Sequence, residues 1–231
     1  MKTKKQTLVF LISLAICMIF IMQSCKKEED SPPPNETSTV TDSEGIIYKT
    51  VKIGNQWWMS ENLRTGTMIQ GNELSFDNSI IEKYCYDNNI QNCIEFGALY
   101  TWDELMAYST EEGVRGICPE GWHIPTDAEV IELEEFLGMS SNKAHLENTW
   151  RGTDEGSMLL TGGSSGFNMP TSGARRTDGY YLNFGLFGYF YTSTESGAGA
   201  WRRCLKPGYN GIGRYNTYPK TYALSVRCIK N

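Results

Sequence analysis

The sequence predicts an α+β fold built from short strands, two main helices and a loop-rich C-terminal half. Three observations carry this. Apolar residues alternate with period two near residue 50, and two stretches between residues 99 and 138 show helical spacing. Beyond Arg151 the composition shifts to Gly, Ser, Tyr and Phe.

Ile47-Tyr48-Lys49-Thr50-Val51-Lys52-Ile53 alternates, and Gly54-Asn55 supplies a turn before Gln56-Trp57-Trp58-Met59. That pattern is a hairpin signal. Leu99, Trp102, Leu105 and Met106 place a short helix over Tyr100 to Tyr108. A second helix starts at Thr126, where Thr126 and Glu129 have capping-box spacing. Its apolar stripe is Val130, Leu133, Phe136 and Leu137, which leaves Glu132, Glu134 and Glu135 facing water, and Gly138 ends it. In the C-terminal half, Tyr189 to Ser193 and Tyr222 to Ile229 alternate as short strands joined by long loops.

The amino terminus has its own logic. Lys2, Lys4 and Lys5 precede an uncharged apolar run of 15 residues, Leu8 to Met22. A membrane-spanning helix needs about 20. A basic head, a short apolar body and a small residue make a secretory signal over residues 1–24, excluded from fold reasoning. Gln23-Ser24-Cys25 resembles a lipobox, although Met22 and Gln23 depart from the usual residues. Cys25 is therefore the expected lipidation site and the membrane, through that anchor, an expected partner. Several acyl chains would hold firmly, at about 0.8 kcal/mol per buried CH2. Residues 25–44, with Lys26-Lys27-Glu28-Glu29-Asp30 and Pro32-Pro33-Pro34, are expected to form a disordered acidic, proline-rich tether. Lysines followed by acids beside a lipidated cysteine resemble the surface-export signal of Bacteroidetes lipoproteins. The expected location is the outer membrane, facing the cell exterior.

Removing residues 1–24 takes away three of 21 basic residues and none of 27 acidic ones, leaving 18 against 27, or about −9. That balance argues against nucleic acid as a partner. Residues 45–231 suffice for one domain with a real core.

That domain holds Cys85, Cys93, Cys118, Cys204 and Cys228. An exported chain meets oxidising conditions, so pairing is expected. Cys85 and Cys93 bracket a polar loop that could fold back and bring them together. A bridge from Cys118 to Cys228 would close most of the domain. Cys204 is then left over, and burial is its expected fate. The scarcity of histidine, only His123 and His145, and the lack of Cys-x-x-Cys argue against zinc.

Several motifs taken in order resemble one family. Ile53-Gly54-Asn55-Gln56-Trp57-Trp58-Met59-Ser60-Glu61-Asn62-Leu63 is similar to the opening of the Fibrobacter succinogenes major paralogous domain. Tyr84-Cys85-Tyr86-Asp87-Asn88, Gly97-Ala98-Leu99-Tyr100-Thr101-Trp102 and Cys118-Pro119-Glu120-Gly121-Trp122-His123-Ile124-Pro125-Thr126-Asp127-Ala128-Glu129 follow. Phe167 to Arg176 and Ser225-Val226-Arg227-Cys228-Ile229-Lys230 complete the match over about residues 45–231. Val130, where the family usually has Trp, and Cys204 depart from the pattern. The resemblance implies a C-type-lectin-like fold related to formylglycine-generating sulfatase modifiers. In that fold a cysteine before or within a helix commonly pairs with one in the last strand, which agrees with Cys118 and Cys228. The family carries no activity to transfer, and fold alone supplies none.

No catalytic residue is expected. His123, between Trp122 and Ile124-Pro125 ahead of a helix cap, suits a structural role, and no Gly-x-Ser-x-Gly or His-Glu-x-x-His occurs. Gly162 to Gly166 is glycine-rich but lacks a phosphate-loop ending. The related modifiers need C-terminal active-site cysteines, and Cys228 is already claimed. An enzyme of that lineage, or a structural envelope or appendage subunit, is the alternative.

Binding has more behind it. Arg175, Trp201, Arg202, Tyr209 and Arg214 are the candidate ligand-binding residues, with Arg176, Tyr180-Tyr181, Arg203, Tyr215 and Tyr218 nearby in sequence. Aromatic faces beside guanidinium groups suit sugars, peptides or carboxylates. The expected role is a binding or adhesion module for a glycan or protein. No cofactor is expected: the calcium-site triplets of true C-type lectins are missing, and a structural calcium held by loop oxygens stays open.

Overall fold

The computed structural model describes residues 35–231. The signal at residues 1–24, the lipidation site Cys25 and the first part of the tether lie outside the described residues. In chain order the strands are β1 (Thr37–Thr41), β2 (Ile47–Ile53), β3 (Gln56–Met59), β4 (Thr67–Ile69), β5 (Glu82–Tyr84), β6 (Trp122–His123) and β7 (Thr149–Arg151). They continue with β8 (Ala174–Arg175), β9 (Tyr181–Leu182), β10 (Gly188–Ser196), β11 (Gly199–Lys206), β12 (Tyr209–Tyr215) and β13 (Ile229–Lys230). The helices are α1 (Ile90–Phe96), α2 (Trp102–Leu105), α3 (Asp127–Phe136), α4 (Ser141–Ala144) and α5 (Glu155–Leu159). The fold is α+β, with few helices and curled antiparallel sheets.

The expected hairpin is β2–β3, turning at Gly54, whose φ is +61°. It anchors a five-stranded antiparallel sheet in the order β1-β2-β3-β13-β6. β10, β11, β12 and β7 form a second antiparallel sheet. Side chains alternate across a strand, and β2 supplies two cores in this way. Tyr48 joins Met59, Tyr100, Trp102 and Leu105, while Val51 and Ile53 join Trp58, Val130, Leu133, Phe167 and Phe190.

Several expectations need correction. Thr37–Thr41, expected inside a disordered tether, is β1, paired along its length with β2. Asn35 also donates to the Ser165 carbonyl at 2.7 Å, so the folded unit takes in residues ahead of 45. The loop after Cys85 runs into α1, which carries Cys93 and is capped by the Asn89 side chain accepting from the Gln91 amide. The helix expected over Tyr100–Tyr108 is only α2, because Ala107 and Tyr108 turn to φ of +49° and +60°. Tyr222–Ile229 is strand only at its end. Ala223, Leu224 and Ser225 instead make single bridges to Arg175, Tyr100 and Phe190.

Helix α3 starts as expected: the Thr126 hydroxyl accepts from the Glu129 amide at 3.1 Å, and Glu129 reaches back to the Thr126 amide at 2.8 Å. Its faces differ from the expectation. Phe136 is 61% exposed and lies over Gly54, where a Cβ would meet its ring at 2.8 Å. Glu134, expected in water, is fully buried. It accepts two hydrogen bonds from Arg151 at 2.9 and 2.7 Å and one from Arg203 at 2.6 Å. Asp127 at the other end of α3 pairs with Arg203 and Arg214 at 2.7 and 2.6 Å. Helical periodicity puts the Glu134 charge in solvent; Arg151 of β7 and Arg203 of β11 make the interior habitable for it.

Both expected disulfides are present, Cys85–Cys93 and Cys118–Cys228. The second ties the segment ahead of α3 to the approach of β13. Cys204 is free and buried. It faces Gly213 across the β11–β12 ladder, where a Cβ would stand 2.3 Å from its Sγ. A small partner explains the cysteine by packing alone.

Candidate functional site

Most of the arginine–aromatic pairs expected to bind ligand are internal. Trp201 is 6% exposed, and the Arg214 guanidinium covers its ring at 3.7 Å while holding Asp127. Arg202 points to the opposite face of β11, packed over the rings of Tyr218 at 3.7 Å and Tyr215 at 5.2 Å. Tyr209 is exposed, but it stands edge-on to Trp150 at 4.7 Å, apart from the others. These residues do not converge on one open surface. A buried cation over aromatic faces is a packing device in its own right.

Arg175 is buried as well, yet it leads to an open site. Its Nε and Nη2 both donate to the Gly71 carbonyl, at 2.9 and 2.7 Å, and Nη2 also donates to the Glu73 carbonyl at 3.0 Å. Its guanidinium rests on the Tyr84 ring at 4.3 Å. It therefore pins the loop at residues 70–73 against the β8–β9 hairpin. Gly71 and Gly179 meet there with no room for a side chain: a Cβ on Gly179 would lie 2.5 Å from the Gly71 oxygen.

That contact forms one wall of an open cleft of about 560 Å³, lined by Asn72, Tyr86, Asp87, Asn88, Asp178, Gly179, Tyr180 and Tyr181. Three segments supply it. The first is the loop held by Arg175. The second is the tip of the β8–β9 hairpin, closed by Asp178-Gly179 with the Arg176 amide donating to the Tyr180 carbonyl at 2.8 Å. The third is a tight turn, Tyr86–Asn88, beside the Cys85–Cys93 bridge.

In that turn Asp87 and Asn88 adopt φ of +55° and +54°. Asn and Asp tolerate this region better than other side chains, but two in succession are uncommon. Asn88 Oδ1 accepts from the Gly71 amide at 2.7 Å and from the Tyr181 hydroxyl at 2.9 Å, which stitches the three segments together. Burial pushes the Tyr181 hydroxyl up to about 12, so it stays a donor at neutral pH. Tyr86 packs on Tyr181 and Phe184 at 5.1 and 4.6 Å, forming a fixed aromatic floor. Tyr180 is 72% exposed at the rim. Asp178 is engaged by Arg176 at 2.8 Å.

The sequence offered Tyr86-Asp87-Asn88 only as part of a motif and Tyr180-Tyr181 only as aromatics. The available signals were an Asp-Asn pair beside a cysteine and an Asp-Gly turn ahead of two tyrosines.

His123 lies elsewhere. Its Nε2 is 2.9 Å from Glu129 and its Nδ1 2.8 Å from Asn231, a cap-linked structural histidine. Among the described residues, no three His, Cys, Asp or Glu side chains gather in a way that could hold a metal ion, and no helix is long and apolar enough to cross a membrane.

The model of the Fibrobacter succinogenes major domain family matches residues 51–230, a span that contains every lining residue of the cleft. The chain belongs to this family. No curated relative and no solved structure matches it. Within this Fibrobacter major domain, the match begins inside β2, so β1 and the ties of Asn35 and Glu36 are contributed from outside the matched span.

Proposed function

We propose that this protein is a lipid-anchored, outward-facing binding module that takes its ligand, a glycan or a protein, in the cleft at Tyr86, Tyr180 and Tyr181. The observation that carries the reading is the cleft itself: an aromatic floor and an exposed rim tyrosine, held by the buried Arg175 and by hydrogen bonds to Asn88. A rigid scaffold presenting an open loop-built site is the usual arrangement of recognition surfaces. The anchor at Cys25 would place that site outside the outer membrane, on the evidence of the apolar run and lipobox-like residues.

A C-type-lectin-like architecture fits the placement of β13 beside β3 in one sheet and the Cys118–Cys228 bridge. A binding role rather than a catalytic one suits the lining, because Asp178 is committed to Arg176 and Asp87 then has no free carboxylate to work with. The test is adhesion of cells displaying the full-length protein to arrayed glycans and host or community surface proteins. Tyr180→Ala should weaken binding by up to about tenfold without changing display, and Trp201→Ala should act only through stability. Equal binding by wild type and Tyr180→Ala would remove the cleft from consideration.

A further inference from the structure

The lining of the cleft reads further, to a class of ligand. We infer that it takes an uncharged sugar residue bearing adjacent hydroxyls, laid against Tyr180 and gripped by Asp87, Asn72 and Asn88. This rests on the binding role proposed above.

Charge comes first. Two carboxylates, Asp87 and Asp178, line the cleft, and neither lysine nor arginine is among its lining residues. The nearby Arg176 pairs with Asp178 at 2.8 Å and offsets that charge. Asp87 makes no hydrogen bond or ion pair within the described residues and is exposed, so one free negative charge faces the opening. Acidic sugars carrying carboxylate or sulfate would meet repulsion there with no guanidinium to receive them.

Hydrogen-bonding capacity comes next. Asn88 spends its oxygen on the Gly71 amide and the Tyr181 hydroxyl, which leaves its amide nitrogen as a donor toward the cleft. Asn72 brings a second amide. The free groups are thus one strong acceptor and at least two donors. Neighbouring sugar hydroxyls each donate and accept, and so satisfy both kinds at once. An ammonium ligand would satisfy Asp87 but strand the amide donors, so a basic peptide fits less well. The apolar face of a pyranose ring is left for Tyr180, whose exposed ring offers the matching surface.

The turn geometry supports this arrangement. Asp87 and Asn88 hold left-handed backbone conformations beside a disulfide, and Asn88 is tied to Gly71 and Tyr181, so the turn that carries both polar side chains is set before the ligand arrives.

The experiment uses the full-length lipoprotein in detergent micelles against immobilised oligosaccharides. Each uncharged backbone is paired with its uronate or sulfated counterpart. The expected result is retention on uncharged chains and at least about tenfold weaker retention on the acidic partners. Asp87→Asn keeps the turn-tolerant side chain and should weaken retention about tenfold through loss of a charged acceptor. Tyr180→Ala should weaken it by up to about tenfold with unchanged circular dichroism. Preference for the acidic partners would overturn the ligand class while leaving the binding role intact. Retention on uncharged chains that ignores both substitutions would overturn the site. Absence of retention on every sugar would overturn the inference; a protein ligand lost on Tyr180→Ala would then keep the binding role alive without it.

Discussion

Glu134 of α3 and Arg203 of β11 meet inside the protein with both side chains closed off from solvent, the Arg203 Nε donating to Glu134 Oε1 at 2.6 Å. Arg151 grips the same carboxylate from β7, and Asp127 holds Arg203 and Arg214 one helix end away. Two carboxylates thus fasten α3, the longest helix among the described residues, to three strands of the second sheet. Glu134→Ala would leave Arg151 and Arg203 buried without it, a loss of about 3–5 kcal/mol in urea unfolding. The exposed neighbour Glu132→Ala should stay within about 0.5 kcal/mol of wild type. Equal effects of the two would mean that the network contributes nothing.

The contact of His123 with Glu129 makes a pH-dependent contribution. Its hydrogen bond to Glu129 raises the His123 pKa above the ordinary 6.5 against the opposing effect of burial. Burial pushes Glu129 upward, but bonds from His123 and Thr126 more than offset it and hold its pKa below 4.5. The histidine contribution is complete below pH 6.5 and fades as pH rises through the folded value. The glutamate contribution is complete above pH 4.5 and fades as pH falls through its folded value. The stability gap between wild type and His123→Gln should therefore peak between those limits and shrink by pH 8. A gap that stays flat from pH 5.5 to 8 is the contrary result.

Arg175 serves the cleft without reaching it. Arg175→Lys cannot reproduce the forked contact with the Gly71 and Glu73 carbonyls. Hydrogen exchange over residues 70–73 should quicken by about tenfold, the ratio that 1.4 kcal/mol produces. Exchange in β10 and β11 should hardly change. Acceleration spread evenly across both sheets would show that Arg175 supports the whole core instead.

The cysteines separate by loop length. Replacing Cys118 and Cys228 by serine should cost about 5 kcal/mol by chain-entropy reasoning, and replacing Cys85 and Cys93 about 2–3. Thermal unfolding of the two variants gives the order, and only the second should disturb the Tyr86–Asn88 turn. Cys204 should resist thiol reagents until urea is added, because it is buried and burial raises its pKa. Stoichiometric labelling of the native protein would contradict this.

What the sequence disclosed and what it hid divide along physical lines. The β2–β3 hairpin, the Thr126–Glu129 cap and the nearer cysteine pair rest on neighbours within about ten residues, where spacing alone is informative. Glu134 was misplaced because its partner Arg203 lies 69 residues away. Periodicity sees only one helix, so a charge on it is assigned to water. Trp201, Arg202 and Arg214 were misassigned for a related reason. An arginine over an aromatic ring has the same composition whether it greets a ligand or fills an interior. The cleft was hidden because it joins residues near 72, 87 and 180, and nothing local marks those three turns as neighbours. The distant link of Cys118 to Cys228 was legible because disulfide chemistry limits the choice of partner and the family resemblance implies the same pair.

The placement of β13 has a consequence for how the molecule is made. Ile229 pairs on one side with Trp58 and on the other with His123, so an interior seat of the first sheet is filled by residues more than 100 positions from either partner. Until that segment arrives, β3 and β6 each keep a raw strand edge on show, and such edges invite other chains. Stalled or clipped copies should therefore clump rather than persist half-built, which makes the closing of this sheet an all-or-nothing event.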